Sequence, residues 1–241
     1  MIALLYREDL KDVGIRLMRM LNAEELSCSR QPDITVIVGG DGTLLNALHR
    51  YPCVVDSLVV HVGSGNVNFY RSVRIGEMPL EEIAERISAE DFNVVEFSTI
   101  DAGHCLAVNE VVARSIDRRL LAFKISSGSL SLSGRADGVI ISTPQGSTGY
   151  ILSTFGPVVD YRIPAFVISF IAPYTLYLRP LVVPQEPVLV ETLQDAEISC
   201  DGYDERRSRR FVVKLGKRKL RLAVFGEYDY HKRVLNRLLA Q

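Results

Sequence analysis

Apolar and polar positions over residues 1–90 alternate between strand and helix patterns, as is typical of a parallel α/β fold. Short runs that are apolar throughout predict buried strands over residues 2–6, 34–38 and 58–62. Apolar positions at helical spacing predict amphipathic helices over residues 9–21, 43–50 and 80–87. Strands that are apolar on both faces are typical of a doubly wound parallel sheet, whose ligands bind beyond the carboxyl ends of the strands.

From about residue 93 the pattern changes to many short, β-branched runs. The predicted strands cover residues 93–98, 104–113, 119–126, 130–133, 138–142, 165–171, 181–183, 188–192, 196–200, 210–214 and 219–224. The last segment, residues 228–239, has helical periodicity and is predicted to return to the first domain. We therefore predict an α/β protein with two domains. Residues 1–90 and 225–241 are predicted to form a doubly wound domain, and residues 91–224 a β-rich, sandwich-like domain.

Composition narrows the class of protein. The chain has 241 residues, 47% of them hydrophobic and 24% charged, with a net charge of −1. These values argue against disorder and against a strongly nucleic-acid-binding surface. The basic runs over residues 206–210 and 214–221 lack interleaved aromatic residues and are interpreted as solvated strand faces. No apolar run approaches the roughly 20 residues that a membrane span needs.

Cysteine and histidine usage points to no disulfide framework and no metal site. The four cysteines are far apart with no C-x-x-C spacing, and the N-terminal apolar run is too short for a signal peptide. These features predict a cytoplasmic protein with reduced thiols. The four histidines show no metal-ligand spacing and are interpreted as ordinary core or surface residues.

The strand at residues 34–38 runs into a glycine-rich turn that contains one carboxylate. Gly39, Gly40 and Gly42 can adopt backbone angles closed to other residues, and the following helix offers unpaired N–H groups to an anion. A carboxylate at Asp41 makes sense there if it recruits a divalent cation or removes a proton from an attacking hydroxyl. The alternative is a tight strand-to-helix turn in which Asp41 caps the helix. Neither a Rossmann fingerprint nor a P-loop is present.

The second domain contains three further polar groups in apolar surroundings. Asn109 and Glu110 interrupt an apolar strand, residues 135–138 read Arg-Ala-Asp-Gly, and residues 142–150 read Ser-Thr-Pro-Gln-Gly-Ser-Thr-Gly-Tyr. In the last segment Ser147 and Thr148 are predicted to point compact donors and acceptors toward a polar ligand. Each group alone could be structural, as a bulge, a turn or a helix cap, and it is their joint occurrence that indicates function.

The order of these motifs resembles the NAD kinase family from residue 36 to the C-terminus. The chain matches that family's Gly-Gly-Asp-Gly-Thr at residues 39–43, its Asn-Glu pair at 109–110 and its Arg-Ala-Asp-Gly at 135–138. It also matches Thr-Pro-Thr-Gly-Ser-Thr-Ala-Tyr at 143–150 and the Asp-Gly turn at 201–202. At residues 145, 149 and 203 the chain departs from the usual residues of the family.

The resemblance implies a reaction and a role for each site residue. Asp41 is implied to accept the proton of the 2′-hydroxyl of the adenosine ribose of NAD, with ATP and Mg²⁺ or another divalent cation as donor and no fixed protein metal site. Some members of the family look able to use inorganic polyphosphate. Asn109 and Glu110 are implied to hold the ribose or adenine, and Tyr150 to stack near a base. The other implied nucleotide-binding residues are Gly39, Gly40, Gly42, Thr43, Phe69, Arg135, Asp137, Gly146, Ser147 and Thr148. The resemblance also implies that the domain of residues 1–90 and 225–241 binds the phosphate donor, that the domain of residues 91–224 binds NAD, and that the protein is a homodimer or homotetramer.

One segment fits the family poorly and keeps alternatives open. Residues 61–69 read His-Val-Gly-Ser-Gly-Asn-Val-Asn-Phe, and Gly63 to Asn66 look like the second loop of diacylglycerol and sphingosine kinases. A lipid kinase of the same fold is therefore the enzymatic alternative. A nucleotide sensor without catalysis is the alternative from another class, although Asp41 and its neighbouring glycines are all present.

Overall fold

The computed structural model describes residues 1–65, 68–117 and 119–239. Residues 1–97 and 218–241 form one unit, called unit 1, and residues 98–217 form unit 2. The chain passes from one unit to the other within two strands, Asn93–Asp101 and Tyr203–Val224. None of the described helices is long and apolar enough to cross a membrane.

Unit 1 is built on a parallel sheet. Its strands are β1 (Ile2–Tyr6), β2 (Glu24–Glu25), β3 (Ile34–Gly39), β4 (Leu58–Gly63), β5 (Val73–Arg74) and the end of the strand Tyr203–Val224. β1 lies between β2 and β3, β3 pairs with β4, and β4 pairs with β5 and with the end of Tyr203–Val224, all in parallel. The apolar residues of β3 and β4 are buried, as expected for a sheet covered on both faces.

Helices cover both faces of this sheet. They are α1 (Lys11–Met20), α2 (Asp41–Arg50), α3 (Leu80–Ser88) and, at the C-terminus, Tyr230–Leu239. Leu17 of α1 and Ile83 of α3 share one core with Val36 and Val60. Since side chains alternate along a strand, Ile37 and His61 face the other side, where α2 packs on β3. The doubly wound arrangement and the return of the last helix to the first unit are confirmed.

Unit 2 is antiparallel and β-rich. After β6 (Asn93–Asp101) its strands are β7 (Leu106–Ala107), β8 (Glu110–Ser115), β9 (Leu121–Ser127), β10 (Leu130–Ala136), β11 (Gly138–Ser142), β12 (Ala165–Ile171), β13 (Leu181–Pro184), β14 (Val188–Cys200) and β15 (Tyr203–Val224). A short helix, α4 (Tyr150–Ser153), follows β11, and the C-terminal helix is α5 (Tyr230–Leu239). The first part of β14 pairs with β9, and its last part pairs with β8. The strands of unit 2 enclose one common apolar core, so the prediction of a sandwich-like domain is confirmed.

Several predicted strands have different bounds in the structure. The predicted strand 104–113 is interrupted between β7 and β8, because the Asp201 carboxylate takes the N–H groups of residues 108–110. The pair predicted at 188–192 and 196–200 is one strand with a register shift between Glu191 and Ala196. The two basic strands also belong to one strand, β15, whose arginines and lysines lie on exposed positions. Exposed polar residues therefore interrupted the apolar pattern without ending the strand.

The prediction of reduced thiols was wrong. Cys28 and Cys53 form a disulfide in unit 1, with their Cα atoms 5.6 Å apart. Cys105 and Cys200 form another in unit 2, with their Cα atoms 6.2 Å apart. The partners are 25 and 95 residues apart in sequence, so only the tertiary fold brings them within bonding distance.

Thiol labelling tests this pairing. Iodoacetamide added to the protein unfolded in denaturant without reductant should label none of the four cysteines, whereas prior reduction should expose all four. Reduction should also lower the free energy of unfolding by about 2–4 kcal/mol per bridge, since each bridge restricts the unfolded chain. Labelling of four thiols in a sample that was never reduced would contradict the pairing.

Candidate active site

The carboxyl edge of the unit 1 sheet places one carboxylate at the start of a helix. β3 and β4 end in register, with Gly39 opposite Gly63, and α2 begins at Asp41. Gly40 is the residue that caps this helix, because its carbonyl accepts the N–H groups of Thr43 and Leu44 at 2.9 and 3.2 Å. Asp41 is the first residue of the helix and not its cap, and its carboxylate accepts backbone N–H groups from Phe69 and Tyr70. The alternative reading of Asp41 as a helix cap is therefore wrong, and its carboxylate is available for other contacts.

The glycines of this loop matter because they lack a side chain, and not because they adopt unusual backbone angles. None of Gly39, Gly40 and Gly42 has a positive φ angle, so the prediction based on backbone freedom was wrong. The chain enters α2 directly from an extended residue, and such a path requires no left-handed conformation. A Cβ atom at Gly39 would lie 2.4 Å from Oγ1 of Thr43, whereas one at Gly42 would meet no atom within 4 Å. Gly39 thus permits close packing, and Gly42 leaves the main chain open to a ligand.

The Asp41 carboxylate is held by two backbone amides. Its Oδ2 accepts the N–H of Phe69 at 2.7 Å, and its Oδ1 accepts that of Tyr70 at 3.3 Å. About a quarter of the side chain is exposed, at 26%. Phe69 itself is buried, with its ring edge-on to Tyr70 and Tyr230. Phe69 therefore contributes its backbone to the site and its ring to the core.

His61 is a site neighbour that the sequence interpretation missed. Its ring is fully buried, with Nδ1 3.9 Å from Oδ1 of Asp41 and Nε2 3.0 Å from the carbonyl oxygen of Gly39. A carbonyl only accepts, so Nε2 carries the proton of the neutral ring, and Nδ1 has no hydrogen-bond partner among the described residues. Burial lowers the pKa of His61, against the opposing effect of Asp41. The departure from the family pattern at residue 61 was the available sequence signal.

Polar groups suited to an anion surround the same edge. Arg7 follows β1, and its guanidinium, paired with Asp9, lies 3.8 Å from where a Cβ of Gly40 would be. Ser64 Oγ and Asn68 Nδ2 are buried and have no partner within the described part of the chain. Asn66, which belongs to the loop that resembles lipid kinases, lies outside the described residues.

In unit 2 a single carboxylate organises the Asn109–Glu110 segment. The oxygens of Asp201 accept the N–H groups of Val108 at 2.8 Å, Asn109 at 2.8 Å and Glu110 at 3.0 Å. Asp201 has a φ of 51° and directly follows Cys200, which is bonded to Cys105. The turn that sequence analysis matched only as an Asp-Gly pair therefore fixes the backbone of a predicted binding segment.

Glu110 is a half-buried residue whose carboxyl group reaches into the interior. Its Oε2 is buried and without a hydrogen-bond partner among the residues that the structure describes. Burial, followed by the nearby charge of Asp201, raises the pKa of Glu110 to about 8. At neutral pH the side chain is therefore mostly protonated and can donate a hydrogen bond.

The hydroxyl-rich loop after β11 is tied to the main chain. Ser147 Oγ donates to the carbonyl of Pro144 and accepts the N–H of Val159 at 2.8 Å. Thr148 Oγ1 donates to the carbonyl of Gln145 at 2.9 Å. The prediction that these hydroxyls point toward a ligand disagrees with the structure, because buried hydroxyls must find partners and these two find them in the backbone.

Close packing explains Gly146 of this loop, and hydrogen bonds to the main chain explain Gln145. A Cβ at Gly146 would lie 2.2 Å from the carbonyl oxygen of Asn109, so only glycine fits there. Gln145, which departs from the family pattern, donates from Nε2 to the carbonyls of Ser98 at 2.6 Å and Val108 at 2.9 Å. The loop is thereby fixed against the Asn109–Glu110 segment.

Two predicted residues of unit 2 line a common cavity. It has a volume of about 410 Å³ and is lined by Arg114, Ser115, Ile116, Arg119, Asp137, Tyr150 and Ile171. The guanidinium of Arg114 donates to the Tyr150 hydroxyl and lies 5.2 Å from the centre of its ring. Arg135 instead stacks on Tyr174, with its guanidinium 4.7 Å from the ring centre. The structure thus brings Asp137 and Tyr150 together and directs Arg135 to another aromatic ring.

Within residues 1–65, 68–117 and 119–239, no group of three or more His, Cys, Asp or Glu side chains is arranged to hold a metal ion.

Comparisons with known proteins show similarity to NAD kinases over most of the chain. Residues 109–222 match the family model described as the ATP-NAD kinase C-terminal domain. The NAD kinase of Thermosipho melanesiensis is 30% identical over 212 residues, covering 87% of this chain and 82% of the relative. That of Thermotoga maritima is 31% identical over an alignment of 243 positions, covering 95% and 93%.

Two solved structures share the fold. A crystal structure of an NAD kinase from Archaeoglobus fulgidus in complex with ATP superposes with a TM-score of 0.81 at 21% identity, covering 98% of each chain. Yeast NADH kinase complexed with NADH superposes with a TM-score of 0.82 at 16% identity, covering 99% of this chain and 87% of that one.

The raised pKa of Glu110 makes the stability of the fold depend on pH. Glu110 stays protonated in the folded protein up to about pH 8 but ionises near 4.5 in the unfolded chain. Between these values unfolding releases a proton, so this residue's contribution to stability falls as pH rises, by up to about 1.4 kcal/mol per pH unit. Glu110→Gln is neutral at every pH and should lack this loss.

Urea denaturation of the wild type and Glu110→Gln from pH 5 to pH 8 measures the effect. The free energy of unfolding of the wild type minus that of the variant should decrease across this range. A difference that stays constant with pH would show that Glu110 does not titrate in this window.

Proposed function

The chain belongs to the NAD kinase family, and on that premise we propose that it phosphorylates NAD with Asp41 as the general base. The terminal phosphoryl group of ATP is transferred to the 2′-hydroxyl of the adenosine ribose, giving NADP and ADP. The observation that carries the proposal is the Asp41 carboxylate, which is fixed by two amides, partly exposed, and located at the start of α2 beside an open glycine.

The proposed base acts on a weak nucleophile. The proton of the 2′-hydroxyl passes to the Asp41 carboxylate while the hydroxyl oxygen bonds to the γ-phosphorus and the bond to the β,γ-bridging oxygen breaks. A positioned base contributes about 10²- to 10⁴-fold, which corresponds to roughly 3–5 kcal/mol of barrier. Alignment of the reactants and neutralisation of phosphate charge supply the rest.

The start of α2 is the proposed phosphate-binding element. The helix begins with N–H groups that lack helical partners, and Gly42 leaves open space beside them. Gly39, Gly40 and Thr43 shape this turn. Mg²⁺ is bound mainly by substrate phosphates with one or two carboxylates, so Asp41 is a suitable oxygen ligand for it. When bound with ATP, the ion neutralises phosphate charge. Inorganic polyphosphate offers the same phosphate chemistry and is the alternative donor.

We assign NAD binding to unit 2. Asn109 and a protonated Glu110 offer hydrogen bonds to ribose or adenine, and Asp137 and Tyr150 line a cavity that suits a nucleotide ring. Gly146, Ser147 and Thr148 act by shaping the loop, in keeping with their backbone contacts. Phe69 supports the backbone around Asp41, and Arg135 acts through its stacking on Tyr174.

We further propose a homodimer or homotetramer in the cytoplasm. Unit 2 exposes several large apolar side chains, among them Phe155, Leu176 and Tyr177, which a second copy of the chain would cover. ATP and NAD are abundant in the cytoplasm. Two disulfides are compatible with that location in heat-adapted organisms, whose intracellular proteins are disulfide-rich.

A coupled assay for NADP tests the reaction and the base together. Purified protein supplied with NAD, ATP and Mg²⁺ should form NADP, and Asp41→Asn should bind nucleotides but lose about 10²- to 10⁴-fold in turnover. The variant keeps the size of the side chain while removing its capacity to take a proton. Near-normal turnover in Asp41→Asn would refute the base assignment.

Parallel reactions separate the alternatives. Polyphosphate replaces ATP in one arm, and diacylglycerol or sphingosine replaces NAD in another. Phosphorylated lipid without NADP would favour the lipid-kinase alternative, and NAD binding without any transfer would favour a sensor. Either result would overturn the proposed function.

Two loop glycines form a matched pair for the phosphate site. Gly42→Ala adds a methyl group in open space, so folding stability should be unchanged or raised by up to about 1 kcal/mol. Its KM for ATP should nevertheless rise, because the methyl group occupies the proposed phosphate approach. Gly39→Ala forces a contact with Thr43 and should destabilise the fold by about 1–3 kcal/mol. Chemical denaturation and ATP titration measure both effects, and an unchanged KM in Gly42→Ala would argue against the assignment.

A further inference from the structure

Residues of the C-terminal segment bind the carbonyl oxygens of the peptide groups that orient Asp41. Phe69 N–H and Tyr70 N–H bind the Asp41 carboxylate. The carbonyl of Phe69 accepts the Tyr228 hydroxyl at 2.9 Å and Nη1 of Arg233 at 3.2 Å. The same Nη1 lies 3.4 Å from the carbonyl oxygen of Asn68.

The covalent geometry of the backbone links these two sets of bonds. The carbonyl of Asn68 and the N–H of Phe69 belong to one planar peptide group, and the carbonyl of Phe69 and the N–H of Tyr70 belong to the next. Arg233 therefore contacts the oxygen of each peptide group whose N–H faces Asp41. A rigid plane held at its oxygen is also held at its N–H, and a cation at the oxygen polarises the N–H toward its acceptor.

The placement of Arg233 suits this task. Its guanidinium stacks on the Tyr228 ring at 4.2 Å from the ring centre, and it lies on the side of α5 whose Tyr230 and Val234 are buried. A planar guanidinium offers several donors in a fixed arrangement, and bonds from a charged donor are stronger than those between neutral groups. Arg237, one turn further along the same helix, is exposed.

We propose that Arg233 is a positioning residue for the base, fixing the peptide groups of residues 68–70 so that their amides hold the Asp41 carboxylate in its reactive orientation. The proposal rests on the assignment of Asp41 as the base. It assigns to the C-terminal helix a role in the chemical step that acts through Asp41 and requires no contact between Arg233 and substrate.

Turnover kinetics of Arg233→Met test the proposal, with Arg237→Met as the matched control on the same helix. Methionine keeps much of the packing stem and removes every donor. We expect kcat to fall by about tenfold or more in Arg233→Met, with KM for NAD and ATP changed by less than about threefold. Arg237→Met should match the wild type. An unchanged kcat, or a loss confined to KM, would overturn the proposal.

A conservative variant and a double variant sharpen the result. Arg233→Lys keeps the charge and one donor group and should recover part of the lost kcat, and it replaces the methionine variant if that protein does not fold. In an Asp41→Asn background Arg233→Met should cause no further loss, because the two residues act on one step. An equal loss in both backgrounds would show that Arg233 acts by another route.

Hydrogen exchange separates this inference from the proposed function. The amides of Phe69 and Tyr70 should exchange faster in Arg233→Met than in the wild type, while amides within β3 keep their rates. This readout needs no activity. If Asp41→Asn retains turnover, the base assignment fails, while hydrogen exchange still reports whether Arg233 fixes the peptide groups of residues 68–70. If Asp41→Asn is inactive but Arg233→Met exchanges and turns over normally, only the positioning role fails.

Discussion

The in-register ending of β3 and β4 is the constraint on which the unit 1 site depends. Because Gly39 and Gly63 lie opposite each other, the two following segments leave the sheet at the same edge. One segment starts α2 and supplies the Asp41 carboxylate, and the other returns the amides that bind it. A shift of one residue in this pairing would turn every side chain of a strand to the other face and separate the carboxylate from its amides.

Unit 2 uses the same physical device for a different purpose. In both units an aspartate carboxylate collects backbone N–H groups that have no partner in a helix or sheet, which removes the cost of leaving them unpaired. Asp201 takes three amides and holds a strand interruption, whereas Asp41 takes two at the start of a helix. The number of amides and the position in the fold distinguish a carboxylate that supports backbone from one that remains available for chemistry.

Sequence reasoning recovered what is local and missed what depends on tertiary contacts. The order of strands and helices in unit 1, the chain's place in its family and the position of Asp41 follow from periodicity and motif order. The disulfides could not be predicted, because Cys105 and Cys200 are 95 residues apart in sequence. The hydroxyl of Ser147 carries no sign in sequence that it will bond to backbone, and His61 could not be placed beside Asp41 until β3 and β4 were paired.

The surroundings of Asp41 orient its carboxylate without using up its capacity to accept a proton. An ionised carboxylate has about four lone-pair positions, and the two amides take only part of them, one through a long contact of 3.3 Å. His61 adds no competing donor, since its Nε2 proton is directed to the Gly39 carbonyl and the Nδ1 atom facing Oδ1 carries no hydrogen. Arg233 donates its hydrogen bonds to the carbonyl oxygens of the peptide groups, and its positive charge also interacts with Asp41. The arrangement therefore fixes the direction of the base while leaving lone pairs free for the substrate proton.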